Sequence, residues 1–592
     1  MLRNRLRNLG SQWDCHASLA TTKSKALAMT PFFLSLRGTI VPKQSWWGND
    51  GKIELPLFLW YTTGMVKLTF YGGVREIGGN KILLEDDKGK LFLDFGYPYS
   101  KYRTFYEEYL KPRAGAGLLD LLVMGLLPHL EGIYRTDLDT GNLWPQFRRA
   151  EHYRKLEDID GILLTHAHLD HSGHISFLRE DIPVYATATT AFIAKAIQDS
   201  GKADFDQQVC YFTPRVEECL KGWKQGAYVA SSSGDHQRRF GVADRPGLSE
   251  EARNFWERAT RQKKLASQPL EDIGKCSFNL RCFPVDHSIP GACAWGIETS
   301  SGWVVYSGDL RLHGKRGKLT ESFMKEAARL HPRALILEGT NVGRAANVAE
   351  QEVYKNAFKA INDARGLVIA DFPARDVDRL LTFLQVARDT KRKLTILPRD
   401  AYLLKTMRLL EPEIPDLAAE DSLVIYQETT AARSPASWLR NIYQEYSGKV
   451  VLAKDVASNQ GDFILCFSFW DLNELPSIQP RAGSLYVFSS SEPHNEEQEM
   501  DFRRLHHWLE RFQLRACGLP VERNGEWEIP EEEKGLHASG HACGPDLLRV
   551  ASEIQPEMLI PVHSEKPEYY EDNLGDSGIE ISLPTECGTI EI

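Results

Sequence analysis

The stretch Thr165-His-Ala-His-Leu-Asp-His-Ser-Gly-His174 follows an apolar run typical of a β-strand and precedes a helical pattern. In an extended chain His166 and His168 face the same way, and a turn into a helix brings Asp170 and His171 to the same point. Three imidazoles and a carboxylate are hard to satisfy in an apolar core. A single histidine is more often structural, but this cluster predicts a metal site.

Further candidate ligands lie at strand ends later in the chain. His287 follows a predicted strand at 280–285, and Asp309 follows another at 303–307 and a glycine that lets the backbone turn. Asp94 ends a strand in the same way. Alone it is more typical of a turn, so we assign it to orienting a metal-bound histidine.

The chain changes character along its length. From Met65 it is β-rich, with strands predicted at 66–71, 80–85 and 90–94. Beyond residue 346, strands and helices alternate, which predicts a parallel α/β sheet. The segments 97–155 and 197–275 resemble additions without an assignable role.

Residues 1–64 carry eight Lys or Arg against three acids. Such an Arg-rich opening is typical of an organellar transit peptide. The alternative is a native start at Met65, where a convincing strand begins at once. We favour the second interpretation and expect a poorly packed extension.

Composition excludes some function classes. The chain has 592 residues, a formal net charge of −10 and a pI near 6.0, so a polyanion site must be a local patch or a metal. Ten scattered cysteines without CxxC spacing indicate reduced thiols and a cytoplasmic protein. No apolar run approaches the roughly 20 residues of a membrane span, so no membrane partner is expected.

The metal-site candidates, in order along the chain, resemble the sequential motifs of the metallo-β-lactamase superfamily. Three later stretches are similar to motifs A, B and C of its β-CASP nucleases: Leu337-Glu338-Gly-Thr-Asn341, His537-Ala-Ser-Gly-His541 and Ile560-Pro-Val-His563. The motif B string and Ile-Gly-Gly-Asn at 77–80 look most like RNase J. The resemblance runs in pieces from about residue 65 to residue 563.

This resemblance implies an α/β fold: a metallo-β-lactamase αββα sandwich with an inserted β-CASP parallel α/β domain. The sandwich would comprise residues 65–345 and a return segment at 521–592. The β-CASP domain would occupy 346–520 and close over the metals, leaving a slot for one strand.

The family's ligand scheme implies two zinc ions, with manganese or magnesium as alternatives in activity. Seven side chains would supply the ligands: His166, His168 and His287 for one ion, Asp170, His171 and His563 for the other, and Asp309 as a bridge. Two such ions about 3.5–4 Å apart activate water and clamp a phosphodiester.

Catalytic roles would fall to Asp170, His541 and Glu338. His541 would donate a proton to the departing 3′ oxygen, and Glu338 would orient it. The alternative for Glu338 is a strand-end acid that caps the following turn.

Phosphate contacts would come from motif B and from the inserted domain. Ser539, Gly540 and His537 would cradle a phosphate through backbone N–H groups and side-chain donors, although His537 as a turn cap is an alternative. Arg375 and Arg379 follow a strand and would contact phosphates there, unless they are solvated or held in ion pairs.

Several features depart from RNase J and put substrate placement in doubt more than metal binding. Glu338 stands where RNase J usually has Asp, and Ser564 stands where Gly commonly follows motif C. Ser489-Ser-Ser-Glu-Pro-His replaces a Pro-Gly-Asn-Glu string. Only 29 residues follow His563, too few for the family's assembly domain, so a homo-oligomer stays an open expectation.

The predicted function is a zinc-dependent ribonuclease of RNA processing or decay, a 5′–3′ exonuclease with additional endonuclease activity. Its partner would be single-stranded RNA, held by backbone contacts and stacking with weak sequence preference. Alternatives are a DNA-directed β-CASP nuclease, a small-ester hydrolase, and a non-catalytic scaffold subunit of an RNA-processing complex. Scaffold relatives typically lose ligands, and this chain keeps every one.

Overall fold

Two β-sheets face each other in a computed structural model of the chain. The first has eight strands, in the order Leu270–Asp272, Phe240–Val242, Val184–Ala186, Gly161–Leu163, Gly89–Leu93, Lys81–Asp86, Lys67–Gly72 and Thr589–Glu591. The second has six, in the order Asn279–Pro284, Cys293–Thr299, Gly302–Tyr306, Ala334–Glu338, Met558–Val562 and Glu580–Ile581. The opening strands predicted from the sequence are confirmed to within one or two residues.

The structure describes residues 65–592 except 108, 202–204, 220, 222–225, 245–246, 259–263, 374, 430–434, 492–495 and 524–525. Both expectations for residues 1–64 lie outside the described residues. So does half of the 489–494 string. Among the helices of the described part, none is long and apolar enough to cross a membrane.

Side chains of alternating positions on each strand fill the space between the two sheets. Leu68 and Phe70 of the first sheet pack in one apolar cluster with Trp295 and Ile336 of the second. The outer face of the first sheet carries the helix Ala188–Ser200. The outer face of the second is covered by the helices Gly317–Ala328 and Gly544–Ile554. This is the predicted αββα sandwich.

A third sheet of seven strands holds the order Val450–Val451, Leu423–Tyr426, Lys393–Ile396, Phe463–Leu465, Val368–Asp371, Leu485–Phe488 and Arg515–Cys517. Every pairing in it is parallel, as the strand and helix alternation predicts. Its helices are Val377–Asp389, Pro398–Arg408, Ser437–Glu445, Ala453–Ser458, Leu475–Ile478 and Glu496–Arg511. The helix predicted at 346–364 spans Glu350–Asn362 and packs on Val377–Asp389.

The end of the chain returns to the sandwich. Met558–Val562 pairs in parallel with Ala334–Glu338, and Thr589–Glu591 pairs antiparallel with Lys67–Gly72. In the chain, the helix Glu568–Leu574 lies between the strands Met558–Val562 and Thr589–Glu591. The domain bounds 65–345, 346–520 and 521–592 stay a prediction.

The segments without a predicted role contain short elements. Residues 97–155 hold the helices Tyr99–Phe105, Leu119–Val123 and Trp144–Phe147 and the strand pair Leu130–Glu131 and Arg154–Lys155. Residues 197–275 hold the strands Tyr211–Phe212, Arg215–Glu218, Ala227–Ala230, Asp235–Gln237 and Leu265–Ala266 and the helix Glu250–Glu257. Two further strands, Val521–Arg523 and Glu526–Glu528, form a hairpin.

Candidate metal centre

The histidine-rich stretch lies where the strand Gly161–Leu163 gives way to the short helix Leu169–Ser172. His166 and His171 are completely buried there. His166 Nε2 lies 3.0 Å from His168 Nδ1, so the two rings converge as the extended backbone predicts.

The other predicted ligands come from the ends of three strands of the second sheet. His287 follows Asn279–Pro284, and Asp309 follows Gly302–Tyr306. Between that last strand and Asp309, Gly308 has φ 56°, and a Cβ there would lie 2.7 Å from the Thr165 side chain. His563 follows Met558–Val562 with φ 52°, a strained value for an L residue.

The predicted ligand atoms form two sets, and Asp309, a member of the second, also lies close to the first. In the first set, His168 Nδ1 lies 3.1 Å from His287 Nε2 in addition to its contact with His166. In the second set, His563 Nε2 lies 3.4 Å from Asp170 Oδ2. Asp309 Oδ2 lies 3.6 Å from His166 Nε2 of the first set and 3.2 Å from His171 Nε2 of the second.

The donor sets fit metal ions. Ligands about 2.0–2.1 Å from a tetrahedral zinc lie about 3.4 Å from one another, close to these separations. Buried polar atoms are normally hydrogen-bonded, yet His171 Nε2 and Asp309 Oδ1 make no hydrogen bond. Both belong to the second set, so a cation is the partner that would satisfy them.

The electrostatics of the site also favour a cation. Burial lowers the pKa of His166 and of His287, and lowers that of His168 to about 4, so these imidazoles keep a free lone pair. Burial also lowers the pKa of His171, but the carboxylates of Asp309, Asp94 and Asp170 outweigh it and raise that pKa well above its usual value. The excess negative charge around His171 is what a divalent ion would neutralise.

Asp94 contacts the ring nitrogen of His171 that faces away from Asp309. Its Oδ2 accepts hydrogen bonds from His171 Nδ1 and from the Tyr306 hydroxyl, both at 2.7 Å. The backbone N–H of Thr165 donates to Oδ1 at 2.8 Å. Asn80 in turn donates to the Tyr306 hydroxyl at 2.9 Å. This network holds His171 with Nε2 toward Asp309, which is the geometry predicted for Asp94.

Sequence reasoning missed two residues that orient ligands. The Thr340 hydroxyl lies 2.9 Å from His563 Nδ1, and the carbonyl of Gly540 lies 2.7 Å from His287 Nδ1. Both positions lie inside the quoted β-CASP motifs, which was the available signal. The contact of Gly540 with His287 uses its carbonyl, and the predicted contact of its N–H with a phosphate stays a prediction.

His541, which is partly exposed, and Glu338, which is buried, lie next to the two sets. His541 Nδ1 is 2.9 Å from Glu338 Oε2 and 3.9 Å from Asp309 Oδ2. Glu338 is 1% exposed, and its Oε1 accepts the backbone N–H of Leu310 at 2.7 Å. Burial lowers the pKa of His541, but the charges of Glu338 and Asp309 outweigh it and raise the pKa to about 9.

The residues predicted to contact phosphate lie in different surroundings. Arg375 is close enough to Asp170 and His168 to act on both electrostatically. Ser539 Oγ accepts hydrogen bonds from Asn341 Nδ2 at 2.7 Å and from the His541 N–H at 3.2 Å. Burial lowers the pKa of His537 to about 3, so this residue offers a neutral ring.

Arg379 is not a substrate contact. It is fully buried, and its guanidinium pairs with Glu350 at 3.0 Å and donates to the carbonyls of Ser489 and Ala538. The prediction of a phosphate contact is therefore wrong for Arg379, and the ion-pair alternative is right. A buried guanidinium needs a complete set of acceptors, which is what this network supplies.

Two family models match separate parts of the chain. One, described as a beta-lactamase superfamily domain, matches residues 138–218. The other, described as a Zn-dependent metallo-hydrolase RNA specificity domain, matches residues 532–584. The first range contains the histidine-rich stretch, and the second contains His541 and His563.

Curated relatives align along most of the chain. Ribonuclease J of Mycobacterium tuberculosis is 24% identical over 511 residues, which cover 85% of this chain and 69% of the relative. Ribonuclease J of Sinorhizobium meliloti is 25% identical over 427 residues, covering 70% of this chain and 59% of the relative.

Among solved structures, a protein of unknown function from Enterococcus faecalis has the same fold. It aligns with a TM-score of 0.59 and 19% identity, and the match covers 89% of this chain and all of that chain. The layered sandwich, the inserted parallel sheet, the seven converging ligands and these relatives agree with one another. By these matches the chain is similar to ribonuclease J and to the metallo-β-lactamase superfamily.

Proposed function

We propose that the protein is a metal-dependent ribonuclease that hydrolyses phosphodiester bonds of single-stranded RNA, as a 5′–3′ exonuclease with additional endonuclease activity, in RNA processing or decay. The observation that carries the proposal is the pair of converging His and Asp sets, with Asp309 between them and His541 and Glu338 beside them. The relatives named Ribonuclease J support RNA as the substrate class.

Two zinc ions, held by the two ligand sets, would supply Lewis acidity to the phosphodiester and acidify water. His166, His168 and His287 would hold one ion. Asp170, His171 and His563 would hold the other, and Asp309 would contact both. Asp94, Thr340 and the Gly540 carbonyl would fix the orientation of the imidazoles, since such partners set which ring nitrogen faces the ion.

His541 would deliver the proton to the departing 3′ oxygen. Its Nδ1 is bound to Glu338, so Nε2 is the nitrogen left to donate. The buried Glu338 carboxylate raises the pKa of His541 and so favours the protonated ring, as an acid requires. Asp170, a carboxylate beside His171 and His563, would take up the proton of the attacking water.

Substrate phosphates would meet Arg375 and the motif B loop. Arg375 adds a positive charge beside Asp170 and His168. Ser539 and His537 lie on the loop that ends at His541. The compartment belongs to the proposal as well: the nine cysteines of the described residues are free thiols, which suits a reducing cytoplasm.

The decisive experiment offers the purified protein, with zinc or manganese, 5′-monophosphate, 5′-triphosphate and 5′-hydroxyl RNA beside matched DNA. Release of mononucleotides from the monophosphorylated RNA alone is the expected result. Equal cleavage of DNA would favour a DNA-directed nuclease. No cleavage of any nucleic acid by metal-loaded protein would overturn the proposal.

A further inference from the structure

A cavity of about 630 Å³ opens beside the metal centre. Leu169 and Gly173, which flank Asp170 and His171 in the chain, belong to its wall. Tyr97 joins the same wall and donates its N–H to the carbonyl of Leu169 at 2.8 Å. The cavity is therefore built on the backbone of the ligand helix, and its volume is typical of ligand sites, which hold about 300–1,000 Å³.

Aromatic rings line this cavity from two sides. Tyr97, Tyr99 and Tyr102 form one side, with ring centroids 5.0 Å apart for Tyr97 and Tyr99 and 4.8 Å apart for Tyr97 and Tyr102. Trp470, which follows the strand Phe463–Leu465 of the parallel sheet, also lines it. Trp470 is 66% exposed, so its indole ring is accessible to a ligand in the cavity.

Positive charge lies at the same place. Arg103 and Lys111 line the cavity together with one acid, Glu107. The Arg103 guanidinium lies 5.8 Å from the centre of the Tyr99 ring. Arg375 interacts electrostatically with both Tyr99 and Asp170, so it links the cavity to the metal centre. Flat aromatic faces next to cations are the combination that binds bases and backbone of a single strand.

We propose that this aromatic cavity is a base-stacking subsite, which holds one or more nucleobases of the strand next to the phosphate at the metal centre. The placement in the reaction rests on the proposed ribonuclease function. Stacking on Trp470 and the tyrosines would add binding energy that does not depend on charge, which a chain with a net charge of −10 needs in order to hold a polyanion. Since every base has a π-face, the subsite is tolerant of sequence.

The test measures equilibrium binding of two fluorescent decamers to the metal-loaded protein. One is deca-uridine and the other is an abasic decamer of the same length, both with phosphorothioate linkages that resist cleavage. Trp470→Ala removes the stacking ring, and Trp470→Phe restores one. Phe105→Ala is the matched control, because Phe105 is 43% exposed on the helix of Tyr99 and Tyr102 but does not line the cavity.

Trp470→Ala should weaken binding of deca-uridine by roughly 5- to 150-fold, the loss of stacking for one base, and leave abasic binding unchanged. Trp470→Phe and Phe105→Ala should bind nearly as the wild type does. Equal weakening for both decamers, or none, overturns the subsite. If the wild type cleaves RNA but Trp470→Ala does not selectively weaken binding of deca-uridine, the subsite proposal fails and the ribonuclease proposal stands. If Trp470→Ala selectively weakens binding of deca-uridine but the wild type cleaves no nucleic acid, the subsite proposal stands and the ribonuclease proposal fails.

Discussion

His541 Nδ1 lies 2.9 Å from Glu338 Oε2, although 203 positions separate the two residues in the chain. The strand Ala334–Glu338 ends at this carboxylate, and the adjacent strand Met558–Val562 ends next to the ligand His563. One pair of neighbouring strands therefore places both Glu338, the partner of the proposed proton donor His541, and the predicted metal ligand His563. The register of this pair sets the distance between the two proposed functions.

Glu338→Gln should move the alkaline limit of turnover to lower pH. The Glu338 charge helps to raise the pKa of His541, so removing it lets the ring lose its proton earlier. His541 donates only when protonated, and activity is lost as pH rises through its pKa. Profiles of kcat between pH 6 and 10 at fixed metal concentration measure this shift. An unchanged alkaline limb in Glu338→Gln would exclude His541 as the acid.

His541→Ala should lower kcat by about 10²- to 10⁴-fold while the protein keeps its full metal content.

The convergence of His287 and Asp309 on the histidine-rich stretch was predictable because sheet topology brings strand ends together, whereas the complete ligand scheme came from the family resemblance. His287 and Asp309 each follow an apolar strand, and the ends of neighbouring strands converge at one edge. That Tyr99 and Trp470 line the same cavity was not predictable, because no local pattern links two short helices that follow strands of different sheets. The burial of Arg379 was not predictable either, because its partner Glu350 lies on a separate helix and no local pattern links the two residues.

Asp309→Ala should lose metal from both ligand sets, because its carboxylate lies between them. His168→Ala should lose only one equivalent, because His168 belongs to the first set. Metal content per chain, measured on protein purified in excess zinc, separates the two variants. Both should lose cleavage. Equal metal content in Asp309→Ala and wild type would show that Asp309 is not shared.

Asp94→Asn should weaken metal binding at the second set by about 10- to 100-fold, the usual cost of losing a partner that orients a ligand. The carboxylate at 2.7 Å from His171 Nδ1 selects the ring orientation, and an amide cannot supply the same charge. Competition with a chelator measures the affinity. Tyr306→Phe is the matched control: it removes one hydrogen bond to Asp94 and keeps its charge, so it should cost less. A larger loss in Tyr306→Phe would contradict the role of Asp94.

Asp371→Asn should abolish part of the pH dependence of stability. Burial raises the pKa of Asp371 to about 7, and the Tyr486 hydroxyl only partly offsets it. The folded pKa exceeds the unfolded one, so the folded state binds the proton more tightly, and stability falls as pH rises from about 4 to about 7. At pH 8 the ionised carboxylate lowers the free energy of unfolding by up to about 4 kcal/mol, a loss that the amide avoids.

Thermal unfolding at pH 5 and pH 8 should therefore show a smaller difference in Tm for Asp371→Asn than for wild type. Asp400, whose pKa burial also raises to about 7, contributes with the same sign and persists in the variant, so the pH dependence shrinks without vanishing. An identical difference in Tm for the two proteins would mean that Asp371 ionises in the folded state without penalty.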